Sequence, residues 1–536
     1  MQKDLLLILG LLMIVMLLVM VAQRIRIAYP IFLVIAGLGI SFIPGVPEVK
    51  LDPEVIFLFF LPPILYEAAW YTSWNDFWKW KRPIAFLALG LVLVTSSVVA
   101  YASTVLIPGF TLALGFLLGG IISPPDAIAA TTVLKGMKVP RRTSTILEGE
   151  SLVNDASSLI VFRFALLTIF TGTFSIQAAV GQFFVVAGMG IVVGILLAHL
   201  FYVIHRFLPT TPAIDATFTI ITPYVLYLTA EHFHFSGVMA VVSGGLFMSF
   251  RSHEIFKTGM TRVNMVGVWE TLIFTMNALL FIMIGLELPE VIRGLGETSI
   301  VQGIQYGLII SLIVIVVRIL WVYPLAHVPR WISSAARKDV SPGWKNPLII
   351  GWAGMRGVVS LATALSIPTV VYAQMAFPFR NLIIFITFIV IFITLVFQGL
   401  TLPLLIKWIK IDEIDPVSSS HEQQMGIQKI LDQVAKDELE RNDALQIEQN
   451  SFLRNLNQRL NDNLAIEQLH LTATELHDQK QKELNEYHGI LADIFKLQRK
   501  ALVNMRKQKL YSEEEIRKAE SSLDLKELKI AGYKHF

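Results

Sequence analysis

A group of polar side chains opens an otherwise apolar stretch of this sequence. Residues 147–155 read Leu-Glu-Gly-Glu-Ser-Leu-Val-Asn-Asp, and they belong to the segment 145–171, which is long enough to cross a lipid bilayer. A charged side chain at the centre of a bilayer costs at least about 2.5 kcal/mol, so such groups are seldom there for packing alone. On a helix, Ser151 and Asp155 share one face, and Glu150 and Asn154 form a second stripe about 100° round the axis. Asp155 and Glu150 are therefore expected to point into one cavity with separate partners.

A buried carboxyl group such as that of Asp155 can bind a proton or a metal ion, and each disfavours the other. Nonpolar surroundings favour the neutral acid, whereas a nearby cation favours the ionised form. An acid in a cavity that opens alternately to either side of a membrane would therefore exchange the two ions. The alternative is that Asp155 is a neutral acid hydrogen-bonded to a neighbouring helix, and these residues alone leave both interpretations open.

The composition predicts an all-α polytopic membrane protein. Of the 536 residues, 54% are hydrophobic and only 16% are charged, whereas about 25% are charged in soluble proteins. The absence of cysteine excludes disulfides and thiolate metal sites. The first 410 residues hold 26 Lys and Arg against 18 Asp and Glu, and the rest hold 18 against 23. This asymmetry is typical of membrane loop topology and does not indicate nucleic-acid binding.

Thirteen apolar segments are candidate spans, of which the second and the ninth are short. They lie at about 5–22, 30–43, 54–72, 83–107, 111–134, 145–171, 177–204, 213–231, 236–250, 264–286, 300–326, 346–372 and 378–409. The first, with about 18 residues, exceeds the usual hydrophobic core of a signal peptide and is interpreted as a span. Nineteen Lys and Arg fall in one set of alternate loops and four in the other. For a protein of the plasma membrane, the positive-inside rule then predicts that the N-terminus lies outside the cell and that the tail lies in the cytosol.

The fifth and twelfth segments both contain helix-breaking residues. The fifth contains Gly119-Gly120 and Ser123-Pro124-Pro125-Asp126, and the twelfth has three glycines around Arg356. Because the twelfth segment follows the fifth by seven positions, an odd number, the two run in opposite directions, which predicts an inverted repeat with crossing, interrupted helices. Close packing of small residues would explain the glycines but not the charged residue at each break. Unwound carbonyls beside Asp126 could bind a small cation, or Asp126 is a buried structural acid.

Several segments together resemble the cation:proton antiporter-1 family, the NhaP-like bacterial sodium/proton exchangers. The matching stretches are the Gly-Glu-Ser-x-x-Asn-Asp motif at 149–155, Gly354 to Ala362, Phe281 to Leu288, Ser236 to Ala240 and Gln398 to Pro403. They cover roughly residues 31–408. The resemblance implies Na⁺/H⁺ exchange, with Li⁺ or K⁺ as alternatives, for pH and sodium homeostasis. It also implies a homodimer in the bilayer with no organic cofactor and no enzymatic activity.

The resemblance also implies roles for individual residues. Asp155, Asp126 and Ser151 would bind the cation, although Ser151 could instead bond backward to its own helix. Pro125 stands where the family has Thr, so only its carbonyl is available. Glu150 and Arg356 are expected to form a buried ion pair that organises the site, because each charge would be too costly alone. Asn154 replaces the second Asp of electrogenic relatives, which implies electroneutral exchange.

The remaining polar residues receive minor roles. Arg163 and Arg318 lie inside spans and are expected to snorkel or to pair structurally. The alternative for Arg163, eight residues after Asp155 on nearly the same helix face, is that it tunes the pKa of Asp155. Glu148 is expected at the cytosolic mouth, where acidic groups attract cations, and Glu67 is given no role. The chain is divided into an antiporter domain at 1–410 and a helical regulatory tail at 411–536. In that tail, His470, His477 and His488 are interpreted as solvated positions.

Two other classes of membrane protein could also use acidic residues within a span. An intramembrane aspartyl protease using Asp126 and Asp155 is disfavoured, because the Gly-x-Gly-Asp signature is absent. A channel, or a carrier of another solute, is distinguished by whether a pH gradient drives uphill cation movement. A channel cannot perform that work.

Overall fold

The computed structural model describes most of the first 409 residues and short parts of the tail. The described residues are 2–43, 53–134, 137, 139–172, 176–255, 259–295, 299–332, 343–370, 376–409, 430–437, 439 and single positions between 454 and 523. The chain divides into two compact units, Met1–Asp415 and Pro416–Phe536.

The described part of the first unit is built from helices. In chain order the principal ones are α1 (Gln2–Ile25), α2 (Tyr29–Ser41), α3 (Pro53–Tyr71), α4 (Lys81–Leu106), α5 (Leu112–Ile122), α6 (Ala127–Leu134), α7 (Arg141–Thr171), α8 (Ile176–Phe207), α9 (Pro212–His232), α10 (Gly237–Phe250), α11 (Gly259–Leu286), α12 (Ile300–Ile332), α13 (Lys345–Trp352), α14 (Val358–Leu365) and α15 (Arg380–Ile409). Short helices at Trp74–Lys79, Ser252–Ile255 and Leu288–Gly294 connect some of them.

The lengths of these helices confirm an all-helical, polytopic membrane protein. Within the described ranges, nine helical segments are long and apolar enough to cross a membrane, and Leu9–Ile25, Tyr29–Ser41 and Gly237–Phe250 are shorter apolar helices. On α8, large apolar side chains such as Phe184, Leu196 and Leu200 are exposed. Exposed apolar surface of this kind suits contact with lipid rather than water.

Local sequence signals explain where several helices begin and end. The hydroxyls of Thr111, Thr211 and Ser236 accept hydrogen bonds from the backbone amides three residues on, and so cap α5, α9 and α10. Pro212 occupies the first position of α9, where no amide hydrogen is required. Gly172 ends α7 with a φ of 70°, a conformation that favours glycine.

The two predicted helix breaks are present and lie against each other. α5 ends at Ile122 and α6 begins at Ala127, while α13 ends at Trp352 and α14 begins at Val358. The two prolines of the first break have no amide hydrogen to continue a helix. The Asp126 amide donates a 2.6 Å hydrogen bond to the Met355 carbonyl, so the two unwound stretches are joined directly.

Close packing between helices holds the first break in place. A Cβ atom added to Gly119 would lie 2.6 Å from the Ser96 carbonyl oxygen on α4, and one added to Gly120 would lie 2.9 Å from the Phe162 nitrogen on α7. Only glycine permits these backbones to approach so closely. The break between α5 and α6 is therefore fixed between α4 and α7.

Only a small part of the second unit is described. Residues 430–437 are helical, and the Gln433 side chain donates a 2.8 Å hydrogen bond to Asp437, four residues later. This short helix falls within the tail at 411–536 that the sequence predicts to be helical. The three tail histidines expected to be solvated lie outside the described residues.

Candidate functional site

One cavity brings together most of the predicted site residues. Its volume is about 340 Å³, and because a single water needs only about 10–15 Å³ of such space, it can hold an ion with part of its hydration shell. Its lining comes from α3, the break between α5 and α6, and α6, α7, α11 and α14. The polar and charged residues of the lining include Glu67, Asp126, Thr131, Glu148, Ser151, Asp155, Asn277 and Ser360.

Asp155 lies on α7 with its side chain facing this cavity. The residue is only 8% exposed, and its neighbours in the lining include Ser151 and Leu152 on the same helix. No described residue donates a hydrogen bond to its carboxyl group. This geometry does not support the alternative in which Asp155 is a neutral acid bonded to a neighbouring helix. The carboxyl oxygens are available to a proton or a cation.

Asp126 caps a helix at the first break and also lines the cavity. Its Oδ1 accepts a 2.8 Å hydrogen bond from the Ile128 amide, so it caps the beginning of α6. Its carboxylate also lies against Gly357, where an added Cβ would collide with it. The structural and functional interpretations of Asp126 are thus compatible, because a carboxylate has several acceptor positions.

Pro125 and Ser151 connect α7 to the break. The side-chain amide of Asn154 donates a 2.9 Å hydrogen bond to the Pro125 carbonyl. The Ser151 hydroxyl accepts a 3.3 Å hydrogen bond from the backbone amide of Ala127. Ser151 therefore bonds across to α6. The Pro125 carbonyl keeps a second lone pair, so the bond to Asn154 does not exclude it as a cation ligand.

The predicted ion pair between Glu150 and Arg356 is wrong. Glu150 instead pairs with Arg318 of α12, through two bonds of 2.6 and 2.7 Å to its Nη1 and Nη2. Both side chains are almost completely buried, and the Arg318 Nε also donates to the Ile350 carbonyl at 3.1 Å. Parallel bonds of this kind are the strong geometry for arginine and a carboxylate.

The Arg356 side chain donates its hydrogen bonds to backbone carbonyls rather than to Glu150. Its Nε donates a 3.0 Å hydrogen bond to the Ile122 carbonyl, and its Nη1 donates to the Gly354 carbonyl. Ile122 is the last residue of α5, where helix carbonyls are unpaired and carry partial negative charge. Because Arg356 lies in an unwound stretch, these acceptors are within its reach. Arg318, which was predicted to snorkel or to pair structurally, pairs with the Glu150 carboxylate instead.

The remaining polar residues that could affect the site divide into those that line the cavity and one, Arg163, that pairs elsewhere. Arg163 forms a 2.9 Å ion pair with Glu231 of α9 and is half exposed, which agrees with structural pairing. Glu148 and Glu67 both line the cavity. No role was predicted for Glu67 from the sequence. Asn277 also lines the cavity and was missed, although an amide within the apolar run of α11 is a detectable signal.

Comparison with known proteins identifies the family. A family model described as "Sodium/hydrogen exchanger, transmembrane" matches residues 10–408. The chain belongs to this family. Its members are multi-pass membrane transporters, which confirms the resemblance seen in the sequence and the prediction that the protein is not an enzyme.

Similar proteins include several bacterial antiporters. The chain is 34% identical over 387 residues to the sodium, potassium, lithium and rubidium/H⁺ antiporter of Bacillus pumilus, a match that covers 70% of this chain and 57% of that protein. It is 30% identical over 384 residues to the Na⁺/H⁺ antiporter ApNhaP of Aphanothece halophytica, with 71% and 70% covered. The match to the same antiporter of Bacillus subtilis covers 58% of that protein. The chain thus matches less than two thirds of the length of the Bacillus relatives.

A solved structure supports the fold. The sodium proton antiporter MjNhaP1 from Methanocaldococcus jannaschii, solved at pH 8, superposes with a TM-score of 0.58 at 20% identity. The superposition covers 75% of this chain and 98% of that one. The exchanger therefore shares an NhaP-like arrangement of helices.

Proposed function

We propose that this exchanger transports Na⁺ in one direction and protons in the other by alternating access. The observation that carries the proposal is that Asp155, Asp126 and Ser151 line one cavity beside two facing helix breaks. The Bacillus relatives are named as antiporters of sodium, potassium, lithium and rubidium. We therefore include K⁺ and Li⁺ among the candidate substrates.

Competition at Asp155 provides the coupling. An arriving cation favours the ionised carboxylate, so the proton leaves to the side on which the cation enters. The loaded cavity then opens to the other side, where the cation leaves and a proton binds. Ser151, Asp126 and the Pro125 carbonyl supply further oxygens. Glu148, which also lines the cavity, adds negative charge that attracts cations.

The neighbouring residues support electroneutral exchange of one proton for one cation. Glu150 has its charge balanced by Arg318, and Asn154 is neutral and holds the Pro125 carbonyl. Asp126 is engaged in capping α6. Asp155 is then the acid whose protonation changes during the cycle.

We propose the following architecture for the whole transporter. The nine long segments, the three shorter apolar helices and the broken pair of α13 and α14 would give thirteen spans. The breaks at α5/α6 and α13/α14 would occupy corresponding places in two inverted repeats. The N-terminus would lie outside the plasma membrane and the tail at 411–536 in the cytosol, where it would regulate the antiporter domain at 1–410. The protein would act as a homodimer in the lipid bilayer, without a cofactor, in pH and sodium homeostasis.

Transport in proteoliposomes tests this function. An outward-directed proton gradient should drive Na⁺ uptake against its own concentration gradient, and a dequenching assay should show the reverse coupling for each alkali cation. Cation movement that only follows the cation gradient would identify a channel. A rate of Na⁺ uptake that is the same with and without the proton gradient would likewise contradict antiport.

A further inference from the structure

Asn277 is a buried amide that the sequence motifs do not account for. It lies on α11, is 5% exposed and lines the same cavity as Asp126 and Asp155. Within the part of the chain that the structure describes, no hydrogen bond reaches its side chain. A buried amide is less favourable without a partner than with one. Its free donor and acceptor therefore call for a partner inside the cavity.

Asn277 also comes from a different set of packed helices than the two aspartates. α11 packs closely on α2. A Cβ atom added to Gly37 of α2 would collide with the Ile282 carbonyl oxygen, and one added to Gly285 of α11 would collide with the Val34 carbonyl oxygen. Asp155 lies instead on α7, which packs on α5 at Gly120. The cavity is thus bounded by Asp126 and Asp155 on one helix set and by the Asn277 amide on another.

We propose that Asn277 contacts the transported cation, directly or through a water of its hydration shell, and thereby sets the affinity for the cation. The amide oxygen is an uncharged acceptor suited to a hard cation. It adds a ligand without adding a group that must be protonated, so the one-for-one stoichiometry is retained. This inference rests on the proposed exchange function and goes beyond it by assigning a substrate contact outside α6 and α7.

The test compares Asn277 with a matched asparagine elsewhere. Asn346 on α13 is equally buried, at 3% exposed, and neither of its polar side-chain atoms has a partner. It does not line the cavity. Asn277→Leu and Asn346→Leu therefore remove the same group from two similarly buried sites, of which only one contacts the proposed ion path.

Asn277→Leu should raise the KM for Na⁺ about tenfold, the effect of losing a contact to a charged partner, while the maximal rate stays within twofold. Asn346→Leu should leave the KM unchanged. Asn277→Asp should shift the acidic limb of the pH profile to higher pH, because a further carboxylate in the cavity makes Asp155 bind its proton more tightly. Asn346→Asp should not shift it.

Each outcome separates the inference from the proposed function. Wild-type protein that does not couple Na⁺ to protons would overturn the function itself. With coupling intact in the wild type, an unchanged KM in Asn277→Leu or an unshifted profile in Asn277→Asp would overturn the role of Asn277. If Asn277→Leu does not reach the membrane, Asn277→Ser removes the amide while keeping a small polar side chain, and the same KM criterion applies.

Discussion

Glu150 on α7 is held by both terminal nitrogens of Arg318 on α12, at 2.6 and 2.7 Å. The pair is buried inside the bundle. Its Glu150 precedes Asp155 by five residues on the same helix. It fixes α7 to α12 at the level of the cavity. It also removes one negative charge from the surroundings of the proposed ion path.

Removing one partner of this pair should be strongly destabilising. Glu150→Gln and Arg318→Gln should each lower the free energy of unfolding by about 3–5 kcal/mol, because the remaining charge stays buried without its partner. The double variant should lose less than the sum. Thermal unfolding in detergent, arranged as a double-mutant cycle, measures this coupling. A stronger coupling of Glu150 to Arg356 than to Arg318 would contradict the assignment.

The contrast between these two arginines shows what the sequence could predict and what it could not. Helix lengths and breaks depend on local features, such as the prolines at 124 and 125, and these were predicted at the right positions. The partner of Glu150 depends on how α7 packs against α12, which no local pattern specifies. Asn277 was missed for a related reason, since an amide in an apolar helix is noticeable but a single residue has no spacing that assigns it to a site. Its significance comes from the cavity that four other helical segments help to form.

A methyl group at Gly357 should slow transport strongly. Its Cβ would collide with the Asp126 carboxylate, so Gly357→Ala is expected to displace Asp126 and separate the two breaks. Proteoliposome flux should fall at least about tenfold, comparable to the effect of misplacing a group at a reactive site by 1 Å. Gly267→Ala on α11 is the control, because nothing lies within 4 Å of that Cβ position. Equal activity of the two variants would contradict the close contact at Gly357.

Asn154→Asp should make exchange depend on pH in a new way. The Asn154 amide donates to the Pro125 carbonyl, and a carboxyl group can replace that donor only when it is protonated. Activity relative to the wild type should therefore be highest at acidic pH and fall as pH rises. The pH profile of proton flux in vesicles measures this trend. A uniform loss across the pH range would mean that the donated bond is not the important feature.

Glu254 should stabilise the end of α10 in a pH-dependent manner. Hydrogen bonds from Tyr202 and Arg251 hold the pKa of its carboxyl at about 2, below the usual value of 4.5. Because the folded-state pKa is the lower one, the stabilisation is complete above about pH 4.5 and is lost as pH falls toward 2. The difference in Tm between wild type and Glu254→Gln should be constant from neutral pH to about 5.5 and smaller at pH 4. Glu290→Gln, which removes a more exposed pair with Arg293, should show a much smaller difference throughout.

Deleting residues 416–536 should leave exchange intact and change its pH dependence. The family match ends at residue 408 and the first compact unit at Asp415, so we expect the transport machinery to lie before the deletion. Flux measured at several pH values would show a displaced profile if the tail regulates. Complete loss of exchange in a correctly inserted truncated protein would show instead that the tail is part of the transport machinery.

Cation binding to the purified protein tests most directly whether one carboxyl is shared by a proton and a cation. Isothermal titration with Na⁺ in buffers of different ionisation enthalpy reports how many protons leave per cation bound. The wild type should release up to one proton per Na⁺ and bind more weakly as pH falls, whereas Asp155→Asn should show no Na⁺ binding and no proton release. Asp76→Asn, at the exposed pair with Arg141, should behave as wild type. Na⁺ binding with wild-type affinity and proton release in Asp155→Asn would contradict the account.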